Sequence, residues 1–130
     1  MKKLFTLLAL TISFSMNAQM SDNSSHTSAT GTNAVAMGRN TTASGAYSTA
    51  MGLSTTASGY SSTAMGNYST ASDYASVVIG QYNSSGSSAT SSGSFSTSNT
   101  AFVIGNGTNS SNKSDAFKVM FNGDTTVSND

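Results

Sequence analysis

Residues able to act as nucleophiles, acids, bases or metal ligands are few in this 130-residue sequence. Histidine occurs once, as His26, cysteine is absent, and every acidic residue is an Asp. The Asp residues are scattered, which does not suit the paired carboxylates that cleave polysaccharides. Serine is abundant, but a serine hydroxyl becomes a nucleophile only beside a base. We therefore predict no enzyme activity, no catalytic residue, no metal site and no cofactor.

Charge limits the partners, and the first residues indicate export. Lys2 and Lys3 precede an apolar stretch, Leu4 to Phe14, and Ala18 stands before a plausible cleavage point. This pattern predicts a signal peptide over residues 1–18, too short to span a membrane, and we predict no transmembrane segment in the mature chain. The remaining basic residues form no patch, so we expect no nucleic-acid partner. A polar N-terminal segment, residues 19–33, follows.

The elements that organise the chain are revealed by a fourteen-residue repeat. A proline-free, weakly charged chain could be a disordered linker, but several columns of residues stay in phase. Glycine and an Ala-Met pair recur every fourteen residues, and an Ala-Ser-Gly group recurs seven residues further on, with Asp73 in place of its third glycine. The period favours an all-β fold, a parallel β-solenoid of fourteen-residue coils. We assign its turns, each with a positive φ that Asp73 could also adopt, to Gly38, Gly45, Gly52, Gly59, Gly66 and Gly80.

Side-chain direction then separates an inner from an outer set of residues. Adjacent strand residues point to opposite faces, and a coil this short encloses a lumen with room for little more than methyl groups. We assign to the lumen Ala36, Ala43, Ala50, Ala57, Ala64 and Ala71. The outer apolar stripe that remains predicts a self-association seam made by Val35, Met37, Met51, Met65, Val77 and Ile79. The opposite assignment, with Met inside and Ala outside, remains open and would need no partner.

The repeat loses its phase after Gly80. The next comparable glycine, Gly105, is twenty-five residues on, and a Ser-rich stretch separates the two. We assign residues 34–105 to the repeats, with an irregular insertion at about 82–100. Alternating apolar residues from Ala116 to Phe121, then Asn122-Gly123 as a turn signal, predict a strand-turn-strand cap over residues 106–130.

The repeat columns resemble the head repeats of YadA-like trimeric autotransporter adhesins. The resemblance rests on Ala-Val-Ala-Met-Gly (34–38), Ser-Thr-Ala-Met-Gly (48–52) and Ala-Ser-Gly-Tyr-Ser (57–61). It implies a left-handed β-roll that associates as a homotrimer, lies at the cell surface or outside the cell, and attaches to host, matrix or other cell-surface ligands. Outer-membrane association would follow a route that the sequence does not specify. The resemblance also maps the family's apolar strand positions onto Val35, Met37 and their column mates.

Two other readings remain open. Thr41-Thr42, Thr55-Thr56 and Ser69-Thr70 stack in register, as the hydroxyls of an ice-binding solenoid would. Because the members of each pair are adjacent, they point to opposite faces, and the alternate positions 41 and 43 pair Thr with Ala. A fibre-like structural solenoid is the other alternative, disfavoured by the signal peptide. The five tyrosines near the turns fit packing over coil corners better than ligand contact.

Overall fold

The computed structural model describes residues 20–21 and 26–128. The predicted signal peptide, residues 1–18, lies outside the described residues. Within the described part the secondary structure is entirely β, with no helix. The predicted all-β class is confirmed.

The chain winds into successive coils, and the strands of these coils form two sheets. An eight-stranded sheet holds β1 (Met20–Ser21), β3 (Val35–Arg39), β5 (Thr49–Leu53), β7 (Thr63–Asn67), β9 (Val77–Gln81), β10 (Thr100–Asn106), β11 (Asp115–Met120) and β12 (Thr125–Val127). A four-stranded sheet of two-residue strands holds β2 (Ser28–Ala29), β4 (Thr42–Ala43), β6 (Thr56–Ala57) and β8 (Thr70–Ala71). Each coil therefore contributes one long and one short strand.

Successive coils stack in parallel, so that each residue pairs with its equivalent one repeat later. Ala36 pairs with Ala50 and Met37 with Met51 between β3 and β5. The short strands β4 and β6 pair Ala43 with Ala57 in the same way. This register confirms a parallel β-solenoid, of about four turns. β2 pairs with β4, so the described stack already begins within the polar N-terminal segment.

The interior of the solenoid is narrow and is filled by small side chains. All six alanines that the sequence assigns to the lumen are completely buried and belong to one core cluster. Serine and threonine side chains fill the rest of the lumen, among them Thr41, Ser48, Thr55 and Ser62. Only near the C-terminal end does the core admit the larger Val78 and Val103.

Glycines stand at the corners for two different reasons. Gly38, Gly52, Gly66 and Gly80 have positive φ, between 93° and 121°. The prediction of positive φ was wrong for Gly45 and Gly59, because that angle falls on Tyr47 and Ser61 instead. A Cβ on Gly45 would lie 2.1 Å from the carbonyl oxygen of Gly59. In this column the close approach of the coils excludes a side chain.

After β9 the chain leaves the stack and then returns. Residues 82–99 form turns and bends, and β10 rejoins β9 with Phe102 opposite Val77 and Gly105 opposite Gly80. β11 then pairs with β10, and β12 with β11, both antiparallel. The predicted role of this last strand pair as a cap stays a prediction.

Candidate functional site

The outer face of the eight-stranded sheet brings the predicted seam residues together. Val35, Thr49, Thr63 and Val77 form one column and Met37, Met51, Met65 and Ile79 the next, and all eight are half-buried. The intervening alanines, and Val78 on β9, are completely buried on the other side of the strands. The two columns thus form one continuous stripe along the stack. Its role in self-association stays a prediction.

The same apolar stripe continues into β10 and β11, which the sequence did not reveal. Along one edge of β10, Phe102 pairs with Val77 and Ile104 with Ile79 of β9. Along its other edge, Phe102 pairs with Val119 and Ile104 with Phe117 of β11. The rings of Phe102 and Phe117 meet edge to face, with centroids 6.1 Å apart. The alternation of Phe117 and Val119 in the sequence indicated a strand with one apolar face. Because the repeat loses its phase over the twenty-five residues between Gly80 and Gly105, the sequence did not show which face of the solenoid this strand extends.

The four-stranded sheet presents a different outer face, made of hydroxyls. Thr42 and Ser44 flank the buried Ala43, and Thr56 and Ser58 flank its equivalent in the next coil. The Oγ of Ser58 donates a hydrogen bond to the Oγ of Ser72, 3.1 Å away in the following coil. Two outward columns therefore run in register along the stack.

The outward hydroxyls lie at positions other than the adjacent threonine pairs that the sequence suggested. Thr41 and Thr55 are completely buried, and the outward alternating pairs are 42/44 and 56/58. Thr41 and Ala43 both face the lumen, so their pairing was wrong as a reason against an ice-binding array.

Asp73 anchors the Ser-rich insertion to the solenoid. Its side chain is 1% exposed, and its Oδ1 accepts the backbone N–H groups of Thr90 and Ser91. Its Oδ2 accepts the N–H of Thr100 at 2.8 Å. The predicted interpretation of Asp73 as a stand-in for a turn glycine with positive φ was wrong, because Asp73 is not among the positive-φ residues. It is a carboxylate acceptor for a segment that lies beyond the last short strand.

Asn83 closes the end of the four-stranded sheet. Thr56 donates its N–H to the carbonyl of Ser69 in the next coil. Thr70 lies on β8, the last strand of this sheet. Its N–H instead donates to the Oδ1 of Asn83 at 2.8 Å, and its carbonyl accepts from the Nδ2 of Asn83 at 2.9 Å. The amide takes the place of a peptide group, so the sheet can end without leaving these groups unpaired.

The insertion also runs back along one corner of the solenoid. Tyr74 donates its N–H to the carbonyl of Ser91, and Tyr60 donates its N–H to the carbonyl of Ser92, both at 2.8 Å. Asp115 holds the start of the insertion, because its carboxylate oxygens accept the N–H groups of Ser84 and Ser85. The insertion is thus fastened to the solenoid through backbone hydrogen bonds at several points.

The tyrosines form two stacks over the corners. Tyr60 and Tyr74 stack with centroids 5.3 Å apart, and Tyr47 meets Tyr60 edge to face. On the other corner, Tyr68 and Tyr82 stack at 4.8 Å. Within each stacked pair the facing ring surfaces cover one another, while Tyr47, Tyr60 and Tyr68 remain exposed to solvent. This geometry supports a packing role better than a sugar-stacking role.

His26 is exposed. Within residues 20–21 and 26–128, no three His, Cys, Asp or Glu side chains come together as a metal site.

The described residues also contain no helix long and apolar enough to cross a membrane.

The comparisons with known proteins agree with the repeat. The family model of the YadA head domain repeat matches the chain twice, over residues 29–55 and 57–83. Neither the curated proteins nor the solved structures gave a match. The matched region comprises the coils around β2 to β9, before the Ser-rich insertion.

Proposed function

We propose, from the match of residues 29–55 and 57–83 to the YadA head domain repeat, that the chain is a non-enzymatic adhesin head that attaches as a β-roll homotrimer. In this proposal the chain is exported and works at the cell surface or outside the cell. Its ligand is a molecule on a host, matrix or other cell surface.

The observation that carries the trimer is the apolar stripe of the eight-stranded sheet. Its residues are half-buried in the single chain, and a contiguous apolar surface of this kind is typical of an interface. The alternating alanines are completely buried, so the Met and Ile side chains have no place in the lumen. Association of three chains through the stripe would remove these side chains from water, while the hydroxyl face of the four-stranded sheet stays available for ligand.

Acidic substitutions in the Met column provide the test of self-association. In the double variant Met51→Asp/Met65→Asp we expect the mass measured by light scattering to fall from three chains to one, because adjacent carboxylates would be buried against their copies. The matched control is Thr42→Asp/Thr56→Asp, which places the same charges on adjacent coils of the other face and should remain trimeric. A Met variant that keeps the wild-type mass would refute the seam.

Attachment itself is tested with the assembled head. Beads coated with wild-type chain should bind immobilised extracellular-matrix proteins or intact cells more strongly than beads coated with the monomeric Met variant, because several copies act together. Equal retention of both kinds of bead would count against attachment through a trimer.

A second candidate function is ice binding, favoured by the outward hydroxyl columns of the four-stranded sheet. Strands stack about 4.8 Å apart, and alternate residues along a strand repeat at about 6.6 Å. Thr42, Ser44, Thr56 and Ser58 therefore form a two-dimensional hydroxyl lattice able to order water with the same periods. This function uses the face opposite the proposed seam.

Thermal hysteresis distinguishes the second candidate from the first. For ice binding, wild-type chain must separate the melting and freezing temperatures, and Thr42→Tyr/Thr56→Tyr must abolish that gap by breaking the lattice. Thr126→Tyr, at an exposed position on β12, is the control and should retain it. Absence of hysteresis in wild-type chain eliminates ice binding and leaves the adhesin proposal intact.

A further inference from the structure

We infer that β10 and β11 form the strongest part of the self-association surface, with Phe102, Ile104, Phe117 and Val119 as its main contacts to other copies of the chain. The inference rests on the proposed self-association, and extends it to residues outside the matched head repeats. It gives the C-terminal strands a role in assembly beyond that of a cap.

These four side chains lie on the outer side of the eight-stranded sheet. Val103 is completely buried on the inner side of β10, so its neighbours Phe102 and Ile104 lie on the outer side. Ile104 pairs with Phe117, and Phe102 pairs with Val119. The four residues therefore share one outer patch, and all are half-buried.

The apolar side chains of the stripe become larger from the middle coils toward β10. In the middle coils one of the two columns is occupied by Thr49 and Thr63, whose hydroxyls favour contact with water. The same column continues with Val77 on β9 and Phe102 on β10. Apolar area per strand therefore increases toward the C-terminal end, and hydrophobic stabilisation increases with the area buried.

The charged residues of β11 do not belong to the patch. Lys118 pairs with Val103, which places it on the inner side of β11. Asp115 pairs with the buried Gly105 across an irregular step in the register, and its carboxylate bonds the backbone of the insertion. The two charged residues of β11 are thus directed away from the patch that Phe117 and Val119 form.

A second copy of this chain is the occupant that suits such a surface. The patch is apolar and uncharged, and it continues the stripe. Because all copies have the same sequence, each carries the stripe and the patch on the same strands. Once the predicted signal peptide is removed, the chain carries three basic residues against five Asp, a formal net charge of −2, so net charge adds only weak repulsion between copies. A partner that recognised charge would find no complementary group on the patch.

The test compares the aromatic patch with the Met column in the full chain. For Phe102→Ser/Phe117→Ser we expect sedimentation velocity to show the concentration for half dissociation raised by about 100-fold or more, because central aromatic residues dominate such interfaces. The conservative Phe102→Leu/Phe117→Leu should raise it by less than about tenfold, and Met51→Ser should also have the smaller effect. Circular dichroism establishes that each variant remains folded.

Disulfide trapping tests the same contact even if the serine variant fails to fold. The sequence has no cysteine, so Val119→Cys, Met51→Cys and Thr56→Cys each introduce a single thiol. Mild oxidation should trap covalent dimers through positions 119 and 51, and none through position 56 on the opposite face.

The outcomes separate the two proposals. If the wild-type chain sediments as a monomer at every concentration, self-association fails and this inference fails with it. If Met51→Cys is trapped while Val119→Cys is not, and the Phe102→Ser/Phe117→Ser variant dissociates no more readily than wild type, the inference is overturned while the seam stands. Trapping at 119 with the expected dissociation supports the inference.

Discussion

Replacing Gly52 by alanine is expected to unfold the solenoid. Gly52 has φ of 121°, a conformation unfavourable for residues with a side chain. The added Cβ would lie 2.1 Å from the carbonyl oxygen of Gly66 in the next coil. Because the obstructing atom belongs to the backbone, no side chain can rotate away, and the two coils would have to separate. We expect a loss of about 4 kcal/mol or more in the free energy of unfolding.

A urea titration followed by circular dichroism measures this loss, and the chain supplies a matched control. Gly93 lies in the insertion, and an added Cβ would meet no atom within 4 Å. Gly93→Ala should change the free energy of unfolding by less than about 0.5 kcal/mol. Similar midpoints for Gly52→Ala and Gly93→Ala would show that coil contact does not require glycine at position 52.

A second comparison separates strain in φ from contact between coils. Gly59 is not among the positive-φ residues, but its added Cβ would lie 2.1 Å from the carbonyl oxygen of Asp73. Gly59→Ala should therefore destabilise the chain by contact alone, by somewhat less than Gly52→Ala. An unchanged stability for Gly59→Ala would leave positive φ as the only reason for corner glycines.

The repeating part of the fold could be predicted because parallel stacking places each residue beside its own equivalent. A residue type that suits one coil then suits every coil, so the requirement appears as a column in the sequence. The fully buried Ala43 and Ala57 and the positive-φ Gly38 and Gly52 are such positions. The period, the strand class and the family resemblance all followed from these columns.

The end of the repeat could not be predicted, because its interactions connect residues far apart in the chain. Asp73 holds Thr100, twenty-seven residues later, and Asn83 completes the pairing of Thr70. Each occurs once, so no column marks it. The sequence showed Asp73 only as a departure from glycine, and its acceptor role required the path of residues 84–99.

The outward hydroxyl face could have been found from the lumen assignment of Ala43, since alternation from that residue makes Thr42 and Ser44 outward, but positions 41 and 43 were compared instead. Ala36 and Ala43 are both buried although they are seven residues apart, so simple alternation fails between them. Gly38 and Asn40 have φ of 117° and 57°, and the corner they make resets which residues point inward. A count of alternating positions has to be restarted after each corner, and then gives Thr42 and Ser44 as the outward pair.

Replacing Asp73 by alanine is expected to release the insertion and to cost about 3 kcal/mol in the free energy of unfolding. Asp73 is buried, and its carboxylate accepts the backbone N–H groups of Thr90, Ser91 and Thr100. Alanine would leave the buried N–H of Thr100 and the partly buried N–H groups of Thr90 and Ser91 without their acceptor, and an unpaired buried polar group costs about 1 to 3 kcal/mol. Hydrogen bonds to a charged acceptor are the stronger kind.

Hydrogen exchange locates the effect, and urea titration gives its size. The amides of Ser91 and Thr100 should exchange much faster in Asp73→Ala, while the amides of β5 and β7 should remain protected because their coils are unaltered. Asp124→Ala is the control, since Asp124 is exposed and bonds the exposed side chain of Asn122. It should change stability by less than about 0.5 kcal/mol. Unchanged protection of Thr100 in Asp73→Ala would contradict the anchoring role.

Asp73→Gly decides between the two explanations of this position. It restores the residue found at Gly45 and Gly59, so a turn that needs only glycine or a substitute would tolerate it or be stabilised. If the carboxylate is required as an acceptor, Asp73→Gly should be at least as destabilising as Asp73→Ala, because glycine also adds freedom to the unfolded chain. Asp73→Asn should lie between wild type and alanine, since its amide keeps one acceptor oxygen but turns an NH2 group toward one set of donors. The expected order of stability is therefore wild type, Asn, Ala and Gly, and a Gly variant as stable as wild type would restore the turn explanation.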